Sequence, residues 1–234
     1  MPPRWRLAFF AAAFVSLAAG VAGGLARVAP LEVAPTAVAL HGALMVSAFL
    51  GSVIALERAA ALERLWVYAA PVASSLGGAA LLAGFTQAGI ALLVLAAALL
   101  LAANLVLLKR HPSLETATLA AGAAAWLGGN AALFHGSPAP PWWIAFFTLT
   151  IGAERLELSR YLKRGMAARA SFAALVLALL ITPVYERAMG VVLVAFALWL
   201  FRFDLARITV RSRGLPRYVA LCLLAGYFWL AVGG

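Results

Sequence analysis

Charge and cysteine are scarce in this chain. Of its 234 residues only 11% are charged, against about 25% in an ordinary soluble domain. A mean hydropathy of +1.01 with 65% hydrophobic residues excludes a soluble enzyme, a disordered binding segment and a secreted disulfide scaffold. The single cysteine, Cys222, has no partner for an internal disulfide and supplies no multi-cysteine metal site; inside its apolar run it reads as a small hydrophobe. The chain also lacks a P-loop, a His-Glu-x-x-His run and a serine-protease signature, so nucleotide hydrolysis and the commonest intramembrane proteolysis have no support. What remains is an integral membrane domain over residues 1–234 whose main partner is the lipid bilayer.

Apolar runs between charge clusters fall at residues 7–27, 36–56, 66–86, 88–108, 114–135, 141–154, 170–185, 187–201 and 216–233. They predict an all-α polytopic bundle of about nine transmembrane spans. The sixth and eighth runs are short for a crossing and are expected to continue helically into the charged segments that follow them. Alternation from an inside N-terminus puts every Lys and Arg on one side except Arg27 and Arg187. The positive-inside rule makes that side cytoplasmic and leaves the C-terminus outside. The net charge of +10 is therefore a topology signal, with no nucleic-acid partner implied. Residues 1–24 also have the make-up of a signal peptide, but a first span of that length fits the later alternation.

Small residues, such as Gly20 with Gly24 and the set Ser74, Gly77 and Gly78, are expected to let helix backbones approach closely. There is also an internal echo: Ile54–Arg64 reads IALERAAALER and Ile151–Arg160 reads IGAERLELSR. Both follow spans running from outside to inside. As a repeat, the echo makes spans one to four and five to eight parallel four-helix copies related by an axis along the membrane normal.

Topology separates the three histidines. His111 lies beside Lys109 and Arg110 at the inner surface, whereas His41 and His135 close the outer ends of spans two and five. His41 precedes Glu57 by 16 residues, about 24 Å of helix, which places it a few ångströms inside the outer boundary. Leu44, Met45, Ala48 and Ser52 share its helical face; Ala132, Ala131, Gly128 and Ala124 lie beneath His135 and form a nearly smooth face. One imidazole from each of two helices, with little bulk below one of them, suits a bis-histidine haem b. Met45 and Gly128 would line it, and Trp142 or Trp143 would wall its edge. Glu32, Tyr185 and Glu186 are further outer polar groups within reach. The plainer reading is that each histidine bonds a neighbouring hydroxyl or a headgroup, and that the tryptophans form an interfacial belt.

The run His41-Gly42-Ala43-Leu44-Met45-Val46 with Phe49 resembles the second-span motif of haem-copper oxidase subunit I, in which a histidine at this place is an axial ligand of the low-spin haem. The longer pattern, HGALMVSAFLGSVIALERA with ERLELSR at Glu154–Arg160, is similar to a group of small bacterial membrane proteins akin to oxidase-subunit-I-like and NnrS-like haem proteins of nitric oxide metabolism. The resemblance implies a metal-binding protein of electron transport, with haem b on His41 and a redox or nitric-oxide-related role. It also implies a small gas ligand or a respiratory-chain partner, and a place in the bacterial cytoplasmic membrane. The chain departs from the oxidases where their binuclear centre needs a second haem ligand set and three copper histidines. It has no histidines left for either, so complete oxygen reduction by that mechanism and any three-histidine zinc or copper site are excluded. Catalytic residues stay unassigned.

At the inner ends of spans two and six, Glu57 and Arg58 face an equivalent group of Glu154, Arg155, Glu157 and Arg160. Such a cluster predicts an interhelical salt-bridge lattice. Alternatively it is a proton-uptake or substrate-gating site, because partly buried carboxylates between helices are the material of relays and transporters. Asn104 and Asn130 add polar groups in spans four and five. The haem reading thus competes with a small transporter or channel whose polar path runs through the Glu-Arg clusters, and with an accessory subunit of a respiratory complex.

Overall fold

A computed structural model describes residues 4–160, 162 and 165–234, without the side chains of residues 4–9 and Glu186. The expectations for Lys163 and Arg164, and for the side chains of Arg4, Arg6 and Glu186, lie outside the described residues. Every described element is a helix: α1 Arg4–Leu25, α2 Pro35–Ala39, α3 His41–Leu62, α4 Leu65–Leu82, α5 Thr86–Arg110, α6 Leu114–Phe134, α7 Pro140–Leu158, α8 Met166–Val184, α9 Glu186–Phe203, α10 Ala206–Thr209 and α11 Leu215–Gly233. Six of them, α3, α4, α5, α6, α8 and α11, are long and apolar enough to cross a membrane. As expected, α7 and α9 run past their apolar stretches, to Leu158 and Phe203. Their charged ends stay helical because the backbone hydrogen bonds of a helix are satisfied within the segment itself.

Local chemistry sets the ends. Pro140 and Pro216 stand in the first turns of α7 and α11, where a missing N–H costs nothing. Ser113 and Thr116 close a reciprocal capping box at the start of α6, satisfying donors that a helix start leaves free. The α4–α5 turn passes through Gly84 at φ 87°, a left-handed conformation that glycine adopts without a Cβ clash.

Helices α1 and α3 to α7 pack around a common core in which Trp126 stacks on Phe146, ring centres 5.3 Å apart. Small residues bring the backbones together as predicted. A Cβ on Gly77 would stand 3.0 Å from the Gly89 carbonyl, and one on Gly20 would stand 2.6 Å from Met45 Cγ. Helices α8, α9 and α11 associate chiefly with one another. They meet α7 where Phe172 and Phe196 close over Gly152.

One helix is irregular. Leu40 breaks the path between α2 and α3, His41 restarts the helix, and Leu44–Gly51 winds as a π-helix before α geometry resumes at Ser52. A π-turn has poorer hydrogen-bond geometry and survives where local contacts compensate. Here Gly51 receives the Trp126 ring in space that any Cβ would fill, and Ser47 is drawn into a buried polar network.

Candidate functional site

Two polar centres occupy the two halves of the bundle. The first is sealed. The Ser47 hydroxyl donates to Asn130 Oδ1 at 2.6 Å and accepts from Trp126 Nε1 at 3.0 Å, while Trp143 Nε1 donates to the same Asn130 oxygen at 3.1 Å. Asn130 Nδ2 reaches the Leu93 carbonyl at 2.9 Å, and the Ser74 hydroxyl holds the Ser47 carbonyl at 2.7 Å. Five helices, α3 to α7, are thereby tied together by groups that are buried and partnered. A fully satisfied network of this kind rigidifies a core.

The expected haem site lies just beyond this network. His41 is half-buried, and its Nδ1 stands 3.0 Å from the Val38 carbonyl. A Cβ on Gly24 of α1 would touch its ring at 3.5 Å, and Met45, one turn on, packs against Gly20 of the same helix. The face carrying His41 and Met45 is therefore turned toward α1, away from α6. His135 is exposed at the end of α6, edge-on to Phe134. The smooth face beneath it is already covered. A Cβ on Gly128 would meet Trp142 at 2.8 Å, and one on Gly129 would meet Trp143 at 2.7 Å, while the far edge of Trp143 reaches Gly42 of α3. The wedge that a macrocycle between α3 and α6 needs is filled by these indoles, so the residues present do not fit a paired His41–His135 haem in this conformation.

The second centre is at the arginine-rich end. Glu154 of α7 stands within electrostatic reach of Glu57 and Arg58 of α3 and of Glu157 and Arg155 on its own helix. The expected salt-bridge lattice does not form there: among the described residues Glu57, Arg58, Glu154 and Glu157 make no ion pair within 4 Å. Arg155 makes its ion pair outside the cluster. Its guanidinium grips Asp204, beyond the end of α9, with Nε 3.1 Å and 3.0 Å from the two carboxylate oxygens and Nη2 3.0 Å from Oδ1. The Tyr227 hydroxyl of α11 donates to Asp204 Oδ2 at 2.6 Å and the Leu205 N–H to Oδ1 at 2.6 Å. Asp204 is 1% exposed. Sequence reasoning missed both Asp204 and Tyr227. The available signal was that Asp204 is the chain's sole aspartate, set between Arg202 and Arg207.

Arg58 and Glu157 instead line a cavity of about 490 Å³ with His111, Glu115 and Arg160. His111, set apart from the other two histidines by sequence, thus belongs with the charge cluster. Asn104 donates to the Leu119 carbonyl at 3.1 Å, and its Oδ1 has no partner. Leu119 is itself part of the cavity wall. Among the described residues no three His, Cys, Asp or Glu side chains group as metal ligands.

The chain belongs to the DUF8744 family. The family model, described as a domain of unknown function, matches residues 6–234. No curated protein and no solved structure matches the chain. Membership in DUF8744 therefore spans both polar centres but assigns a role to neither.

Proposed function

We propose that this DUF8744 chain is a small solute transporter of the bacterial cytoplasmic membrane. It has about nine spans, an inside N-terminus and an outside C-terminus, built from two parallel repeats. On this topology the arginine-rich end is cytoplasmic. The carrying observation is the asymmetry between the two halves. Unpaired carboxylates and Arg58 surround a polar cavity at the cytoplasmic end, while the outer half is closed by the Ser47–Asn130 network. Ionisable groups that are costly in a membrane and not consumed by salt bridges mark ion or substrate pathways, and an interrupted helix at a repeat interface is the usual moving part. The π-wound Leu44–Gly51 segment, which carries Ser47, fills that place.

The test is accessibility. A Leu107→Cys variant in a Cys222→Ser background is treated with a membrane-impermeant thiol reagent in right-side-out cells and in inside-out vesicles. Alternating access requires labelling from both sides; labelling in inside-out vesicles alone overturns the transport reading.

A second reading keeps haem b on His41 alone, with a redox or nitric-oxide-related role. One observation favours it: a carbonyl partner at Nδ1 orients the ring and leaves Nε2 available, as in metal-ligating histidines. Its test is a reduced-minus-oxidised visible spectrum of protein expressed with haem supply. A b-type spectrum abolished by His41→Ala and retained by His135→Ala supports this reading. A colourless folded protein ends it.

A further inference from the structure

The two copies of the Glu-Arg motif have different fates, and the difference identifies what the cavity holds. Glu154 and Arg155 stand 97 residues after Glu57 and Arg58, each near the arginine-rich end of its helix, α7 and α3. The same step relates the order of the helices that follow: α4 precedes α5 as α8 precedes α9. It also carries Leu107, in the last turn of α5, onto Asp204, just past α9. In the second copy the arginine is satisfied by that aspartate through a forked contact. In the first copy the arginine is present and the corresponding position is leucine. Arg58 and Leu107 line the same cavity, so the missing element is a carboxylate, and there is space for one to arrive from outside the chain.

We infer that the cavity beside Arg58 binds a small amino-acid-like zwitterion, whose carboxylate takes at Arg58 the part that Asp204 plays at Arg155. A carboxylate is the natural bidentate mate of a guanidinium. Glu154, which lies within reach of Arg58, and Glu115 and Glu157, which line the cavity along with His111 and Arg160, set acidic groups beside that arginine. These acids favour a cationic group at the other end of the same molecule. A volume of about 490 Å³ lies in the range of small-molecule sites. The inference rests on the proposed transport function only for its biological use; the binding site stands or falls separately.

Detergent-purified protein is dialysed to equilibrium against a labelled hydrolysate of free amino acids, with unlabelled acetate and methylammonium as single-charge competitors. Binding to the wild type is expected, with weak competition by either single-charge ion. Arg58→Gln should lower the affinity about tenfold or more, as loss of one partner of a close charge pair does. Leu107→Asp should abolish binding by presenting Arg58 with an internal carboxylate, while Leu107→Asn, of similar bulk and no charge, retains it. Absence of binding to the wild type overturns the site, and so does equal binding by wild type, Arg58→Gln and Leu107→Asp. Acetate competing as well as the amino acids overturns the zwitterion assignment. Should Leu107→Asp not fold, Arg58→Gln still decides. Binding that survives in a protein labelled from one side only retains the site and removes transport.

Discussion

Asp204 is the sharpest point at which to perturb the fold, because one carboxylate joins α7, α9 and α11. It receives the Arg155 fork, the Tyr227 hydroxyl and a backbone N–H, and the Arg155 and Asp204 side chains are only 13% and 2% exposed. Replacing Asp204 with Asn preserves shape but leaves the guanidinium buried without its counter-charge. Removal of one partner from a buried pair costs about 3–5 kcal/mol, far more than the surface value of about 0–1 kcal/mol. Tyr227→Phe removes one hydrogen bond to a charged group and should cost about 1.5–3 kcal/mol. The Arg155→Met/Asp204→Leu double variant removes both charges at once, and such replacements are often neutral or stabilising. It should therefore be markedly more stable than either single variant. Reversible unfolding of the purified protein by SDS in mixed micelles, followed by circular dichroism, gives the free energies of the wild type, of these variants and of the Arg155→Met and Asp204→Leu singles. Asp204→Asn within about 0.5 kcal/mol of wild type, or a double variant whose loss equals the sum of the two singles, would refute the claim that an ionised Asp204 clamps these helices.

The buried Ser47–Asn130 network makes its own predictions. Ser47→Ala leaves the buried Trp126 N–H without its acceptor and should cost about 1–3 kcal/mol, with a change in tryptophan emission reporting the altered indole environment. Gly51→Ala forces its Cβ into the Trp126 ring and should lower stability by about 1–3 kcal/mol through overpacking. Gly226→Ala, inside α11 with nothing within 4 Å of the added Cβ, should instead raise stability by about 0.5–1 kcal/mol on the same unfolding curve.

Much of the helical order is legible in the chain because lipid imposes it. A span needs an uninterrupted apolar run, and each run read from the sequence overlaps described helices, the second being divided at Leu40, with Pro140 and Gly84 at breaks. Helix packing by small residues was legible for the same reason, at Gly20, Gly77 and Gly78. The direction in which His41 faces was not. A 3.6-residue period puts Met45 and Ser52 on its stripe, and Met45 does share it, but the π-winding that begins at Leu44 shifts the register of everything beyond. That winding follows from contacts with Trp126 and Asn130, dozens of residues away in sequence. The neighbours of the smooth face under His135 were equally hidden: periodicity shows that Gly128 and Gly129 lack bulk, and only the fold shows that Trp142 and Trp143 supply it.

The charge cluster shows the limit of reading residue types without partners. Glu57-Arg58 on α3 and Glu154-Arg155 on α7 are the same dipeptide, and equal composition suggested that the two would neutralise each other. A guanidinium, however, seeks the best-placed carboxylate in its own layer of the bundle, and Arg155 finds Asp204 while Arg58 finds Leu107 and a cavity. Leucine at position 107, where the 97-residue step sets it against Asp204, is enough on this reading to make a receptor for the functional group that elsewhere closes a structural clamp. Leu107→Asp should thus silence the site by giving Arg58 an internal carboxylate, whereas Leu107→Asn, with no charge to offer the guanidinium, should not.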